Sequence, residues 1–285
     1  NHLPKEPLYI RILIGVGAWF ASFFLLIFVG LFLSFSKESG AIFFGFAFMI
    51  AAVFIDKASK ALFLEQVSLV LAMTGNVLLV VGGVLFFDHF ELLGALIIHA
   101  ITCCLMYFFF NNMVYRFLAP LALVVIAISC ILESKVFVFF HLLVFVEMIF
   151  VGILVLKKKA SVLFAPLTYA AYLMLPATLL FISLTQVEKW FNEFDEPLWP
   201  ASILLSGGLI YLVVKLAGGF KKMKEPWMIL MILGTLVLGF LSNPGVLVAI
   251  GLLILGYLFD DRILSSLAYF FLISFLVIFY YSLDI

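Results

Sequence analysis

One carboxylate stands alone in a long apolar run: Glu147, within HLLVFVEMIFVGILVLKKK at 141–159. At the centre of a bilayer a charge costs at least about 2.5–3.5 kcal/mol on insertion scales. A glutamate there needs a compensating partner, a proton or an aqueous cavity. Its chemistry is therefore that of a proton or substrate site, or of a protonated acid bonded to a neighbouring helix. His99 is the natural partner, because an internal offset of 46 residues sets it at the depth of Phe145, within one turn of Glu147. The two are expected to meet in the interior as a polar centre. His141 shares the helix of Glu147, but six residues place it about 120° around the axis and nearer the outer surface.

Other polar residues invite plainer readings. Glu65 and Gln66 lie one turn into their helix, within snorkelling reach of water. Asn76 is deeper, in TGN at 74–76, where small polar residues suit helix packing. Pro166 and Pro176 are expected to break one helix twice, and Gly207-Gly208 to allow close helix approach. The stretch QVEKWFNEFDEPLW, 186–199, mixes Trp190, Phe191, Phe194 and Trp199 with acids. It reads as an interfacial helix at headgroup depth or as a docking loop for an extracytoplasmic partner.

Absences narrow the function. There is no HExxH, no serine–histidine or paired-aspartate set within the apolar runs, and no glycine-rich phosphate loop. Cys103, Cys104 and Cys130 have neither metal-ligand nor disulfide spacing and read as small core residues. Net charge is zero, which argues against nucleic acid. The expectation is a protein that is not an enzyme and calls for no cofactor or metal.

The elements that must position these residues follow from composition. Hydrophobic residues make up 67% and charged residues 11%, and mean hydropathy is +1.33. Soluble domains carry about 25% charge, so this chain reads as one integral membrane domain over 1–285. Continuous rather than alternating apolar runs select helices over a barrel. About eleven all-α transmembrane segments are expected, near 8–34, 40–55, 61–87, 91–110, 114–132, 136–156, 161–184, 199–217, 226–241, 245–259 and 262–283. Residues 185–198 form the long outer loop. If the segments alternate, thirteen of the sixteen lysines and arginines fall on one side, leaving Lys37, Lys135 and Lys189 on the other. The positive-inside rule then makes the N-terminus cytoplasmic. Segments 226–241 and 245–259 are short enough to cross a thinned bilayer or to dip in as a re-entrant pair.

Internal matches suggest repetition. FLAPL at 117–121 falls on LFAPL at 163–167, and DKASKAL at 56–62 falls on DRILSSL at 261–267, which also sets Gly40 on Gly245. Both pair turns on the same side. The implied architecture is a leading helix followed by five same-orientation helical hairpins.

Both ends resemble a known family. PLYIRILIGVGAWFASFFLLIFVGLF (7–32) and SNPGVLVAIGLLILGYLFDDRILSSLAYFFLISFLVIFYYSLDI (242–285) resemble an uncharacterised bacterial family of polytopic membrane proteins. It is a domain of unknown function often encoded beside a small envelope protein with a GDYxxLxY motif. The middle matches only in hydropathy. The features are the Pro-Gly entry at 244–245, Gly251, Gly256, the acidic-basic turn and Tyr280-Tyr281. The resemblance implies the bacterial inner membrane, membrane lipids and a small envelope protein as partners, and further helices past Ile285; it implies no activity. The leading expectation is thus a non-enzymatic membrane component that binds an envelope or membrane partner. The alternative is a transporter of a small or lipid-like solute, proton-linked through Glu147.

Overall fold

A computed structural model describes residues 8–58, 61–86, 91–156, 164–188 and 197–282. They form ten α-helices: α1 (Leu8–Ala58), α2 (Leu62–Phe86), α3 (Glu91–Phe109), α4 (Met113–Ser134), α5 (Phe139–Leu156), α6 (Ala165–Glu188), α7 (Trp199–Leu216), α8 (Pro226–Leu241), α9 (Pro244–Leu258) and α10 (Arg262–Ser282). No strand occurs among the described residues. Seven segments are long and apolar enough to cross a membrane, and the helices turn large side chains such as Phe54, Leu230 and Phe240 outward. The chain is a multi-pass, all-α membrane protein.

The count differs from eleven at one place. The reversal expected between 34 and 40 does not form, and α1 runs unbroken for 51 residues. No proline lies between Leu8 and Ala58. Lys37, Glu38 and Ser39 suit a helix, and the single Gly40 costs only about 1 kcal/mol relative to alanine. At about 77 Å, α1 far exceeds the ~30 Å hydrocarbon layer; its described crossing-length part is Ser39–Ala58. The alternation that set the N-terminus beside Lys57 therefore lacks its first reversal.

Helix ends follow local chemistry. Proline occupies the first turn of α6, α7, α8 and α9, as Pro166, Pro200, Pro226 and Pro244. A missing N–H costs nothing there, so Pro166 breaks no helix; only Pro176 lies inside α6. Asn112 accepts from the backbone N–H of Val114 and Tyr115 to start α4. Asp261 does the same for α10 with Ile263 and Leu264. Gly218 and Gly219 close α7 with φ of 104° and 97°, values that favour glycine, before a short 3-10 turn at Phe220–Lys224. The repeat alignments meet unlike settings. Pro120 lies inside α4 while Pro166 starts α6, and Gly40 lies inside α1 while Gly245 starts α9.

By its contacts the chain divides into two compact units, residues 1–130 and 131–285. In the first, α1 packs on α2 and α2 on α3, around Met49, Ala52, Leu69, Ala72, Leu79 and Phe110. The α1–α2 approach is set by small residues: a Cβ on Gly75 would fall 2.8 Å from the carbonyl oxygen of Gly45. Close backbones of this kind are how helices gain packing in lipid, where burial from water drives nothing. In the second unit α9 is the centre, touching α6, α7, α8 and α10. Its residues Pro244–Ala249 are all buried, whereas Phe240 at the end of α8 is 90% exposed. Both helices are short, 16 and 15 residues.

The α9–α10 turn joins this unit at one end. The Tyr169 hydroxyl donates to Asp261 Oδ2 at 2.5 Å, and the Tyr257 and Tyr269 hydroxyls meet nearby. Partial burial pushes the Asp261 carboxyl up, but hydrogen bonds from Tyr169, Leu264 and Ile263 outweigh it and hold it below the usual carboxylate range. Because the folded value lies below the unfolded one, this stabilisation is present above the ordinary carboxylate value of about 3.9 and is lost as pH falls through the folded value. Thermal unfolding in detergent should therefore show acid destabilisation beginning below about pH 4. Asp261→Asn should be less stable at neutral pH and should flatten that acid limb; an unchanged limb would exclude Asp261 as its source.

Candidate functional site

In the first unit, α3 buries one stripe: Ala95, His99, Thr102 and Met106, spaced 4, 3 and 4. That periodicity carries His99 inward. His99 Nδ1 lies 2.9 Å from Asn76 Oδ1 on α2, and Nε2 lies 2.9 Å from the Ala119 carbonyl oxygen on α4. Asn76 Nδ2 lies 2.8 Å from the Tyr115 hydroxyl. Thr102 donates to the Ile98 carbonyl at 2.9 Å. Two oxygens thus face the two ring nitrogens, and a neutral imidazole has one N–H to give. Rotating the Asn76 amide by 180° pairs every group. Nε2–H donates to Ala119, the amide donates to Nδ1, and Tyr115 donates to the amide oxygen. The amide and ring assignments are set by such networks. The cluster staples α2, α3 and α4.

At one end of this unit sits a charge that sequence reading treated only as an orientation signal. Arg116 is 4% exposed. Its Nε donates to the Tyr107 carbonyl at 3.1 Å, Nη1 donates to Asn111 Oδ1 at 2.7 Å, and the guanidinium lies over the Tyr107 ring. The Asn111 backbone N–H donates to Asp56 Oδ2 at 3.1 Å. Asn111 therefore links the α1 carboxylate to the α4 cation without an ion pair between them. The signal lay in NNMVYR at 111–116, where polar residues follow YFFF.

In the second unit, α5 buries Phe140, Val144, Glu147 and Val155. The Thr178 hydroxyl of α6 donates to Glu147 Oε1 at 2.9 Å. Glu147 Oε2 is buried without a hydrogen-bond partner among the described residues. Thr178 follows Pro176 by two residues, and nothing in its sequence setting marked it. His141 is half-buried, about 9 Å of helix rise from Glu147. Glu147 and His99 belong to different units, and each of these hydrogen bonds comes from within its own.

The same unit holds a vestibule of about 1180 Å³. It opens where α6, α8 and α10 end and α7 begins, lined by Ser183, Trp199, Ser202, Ser206, Asn243 and Tyr281 among others. Asn243 caps α9 by accepting from Gly245 N–H at 2.9 Å, and its Nδ2 donates to Ser183 Oγ at 2.9 Å. Of the aromatic loop, Trp199 lines this space and is 63% exposed; Trp190, Phe191 and Phe194 lie outside the described residues. On α7, residues 205, 208, 209 and 212 line a separate apolar cleft of about 300 Å³ with Met148 and Leu252. Glu147 lines neither space.

The vestibule rests on the same Pro-Gly helix entry that carried the resemblance at the C-terminal end. A family described as a domain of unknown function, DUF4401, matches residues 7–285. The chain belongs to the DUF4401 family. The match covers the middle as well as both ends, so the two buried clusters and the vestibule all lie within the DUF4401 region. No curated protein and no solved structure matches the chain.

The donor accounting at His99 has a direct readout. Nitrogen-15 NMR of labelled imidazoles should show His99 as the tautomer protonated at Nε2, with Nδ1 accepting. Asn76→Leu should lower the unfolding midpoint in detergent, since it strands His99 and Tyr115 at a cost of about 2–4 kcal/mol. A proton on Nδ1 alone would contradict the rotated amide.

Proposed function

We propose that this DUF4401 chain is a non-enzymatic, multi-pass component of a bacterial inner membrane that binds an amphipathic, membrane-resident partner in the vestibule of its second unit. The vestibule itself supports the reading. It is larger than the roughly 300–1,000 Å³ typical of small-molecule pockets, and its described lining combines hydroxyls and the amides of Gln186 and Asn243 with apolar side chains. That lining has no carboxylate, imidazole, thiol or amine, so it offers no general acid–base pair.

Orientation follows from charge. Among the described residues, Lys215, Lys221, Lys222, Lys224 and Arg262 fall in or beside connections at the end of the second unit away from the vestibule, and Lys135 falls at the vestibule end. The positive-inside rule makes the former end cytoplasmic and the vestibule extracytoplasmic. A cytoplasmic N-terminus would need the reversal that α1 does not make, so the orientation rests on these connections.

Transport of a small or lipid-like solute would draw on the same vestibule. Its coupling to a proton on Glu147 has less support, because Glu147 lines neither cavity and its described hydrogen bond is to Thr178.

Gly207 lines the vestibule, and a Cβ built on it meets nothing within 4 Å. Gly207→Trp should therefore plug the space without disturbing the fold. Material that co-purifies with the wild type in mild detergent should be lost from this variant, at unchanged unfolding midpoint; equal retention would reject the vestibule as the binding site. In intact cells, an amine reagent that cannot cross the membrane should leave Lys221 and Lys224 unmodified, and labelling of either would reverse the orientation.

A further inference from the structure

We infer that the vestibule takes the head of an uncharged, hydroxyl-bearing lipid, of the class with a sugar or glycerol head on acyl chains; this rests on the vestibule being the binding site proposed above. The carrying observation is a pair of serines. Ser202 and Ser206 lie one turn apart on α7, are 7% and 5% exposed, and line the vestibule.

A hydroxyl in a helix can bond the carbonyl four residues back. Buried Thr185 and Thr235 do so here at 2.8 and 2.9 Å, as do the half-buried Ser129, Thr168 and Ser274 at 2.9–3.0 Å. The hydroxyls of Ser202 and Ser206 have no hydrogen-bond partner among the described residues. The two nearly buried serines, about 6 Å apart along the axis, border a common space, with Ser206 Oγ beside Gly239 of α8, which also lines it. Asn243 borders the same space, with one amide hydrogen given to Ser183 and a second left over. These groups keep hydrogen-bonding capacity open to the vestibule, which a ligand supplying hydroxyl or ether oxygens can take up.

Charge selects the head. Among the described residues, the lining carries no arginine, lysine or histidine. A phosphate drawn into this space would lose water with no cation in return, whereas a sugar or glycerol exchanges hydrogen bonds one for one. The apolar rim selects the tail. Ile203, Trp199 and Phe240 are 63%, 63% and 90% exposed and border the opening, where acyl chains lie against them. The indole of Trp199 suits the headgroup boundary.

Native mass spectrometry of the purified chain tests this directly, with monoglucosyl diacylglycerol and phosphatidylglycerol of identical chains as competing probes. The glucosyl lipid should be retained preferentially. The double variant Ser202→Ala/Ser206→Ala should bind it roughly tenfold more weakly or worse, the loss expected from two hydrogen bonds, with phosphatidylglycerol binding unchanged. Gly207→Trp should expel it. Equal or tighter retention of phosphatidylglycerol, indifference to the serine substitutions, or a polypeptide segment held in place of lipid overturns the inference while leaving the vestibule as a binding site, provided Gly207→Trp still expels the occupant. If Gly207→Trp expels nothing, both readings fall.

Discussion

Hydrocarbon offers no hydrogen bonds, and nearly every feature of this chain answers that one constraint. Each backbone group must be satisfied locally, which leaves helices. Each polar side chain drawn inward must find its partner on a neighbouring helix. His99 takes Asn76 and Ala119, Arg116 takes Tyr107 and Asn111, and Glu147 takes Thr178. These contacts fix which helices lie together more specifically than apolar packing does, because a leucine is equally content against another helix or against lipid.

The constraint also explains why the vestibule stands out. Buried hydroxyls such as Thr185 and Thr235 fold back onto their own helix backbone, which makes them self-sufficient and chemically silent. Ser202 and Ser206 do not. The neighbouring apolar cleft is lined by a different set of α7 positions, among them Leu205, Gly208 and Leu212. One helix thus presents two serines to one space and a largely apolar stripe to another.

Much of this was legible in the sequence for physical reasons. Membrane residence follows from composition, and inward placement of His99 and Glu147 follows from the cost of facing lipid. Partner identity was not legible, because it depends on which helices become neighbours. Tyr115, Ala119 and Thr178 carry no local mark of their roles, and the ring of a tyrosine reads as one more apolar residue. Arg116 misled because a basic residue near a helix end satisfies the topological rule whether or not it is buried. The KESG stretch at 37–40 misled in the opposite sense: its residues are polar enough to read as a turn, yet none of them stops a helix. Internal matches such as FLAPL and LFAPL failed to mark equivalent sites because apolar words recur cheaply, and their prolines occupy unlike positions in α4 and α6.

The brevity of α8 has a mechanical corollary. Sixteen residues rise about 24 Å, some 6 Å short of a typical hydrocarbon slab. If α8 crosses the bilayer, the lipids bordering it must compress, tilt or splay, and a bilayer pays for that distortion in chain order. Phe240, at the end of this helix, is exposed and borders the vestibule. A lipid strained in that way would be cheap to withdraw from its neighbours, so a short wall beside an opening favours entry from the side of the membrane.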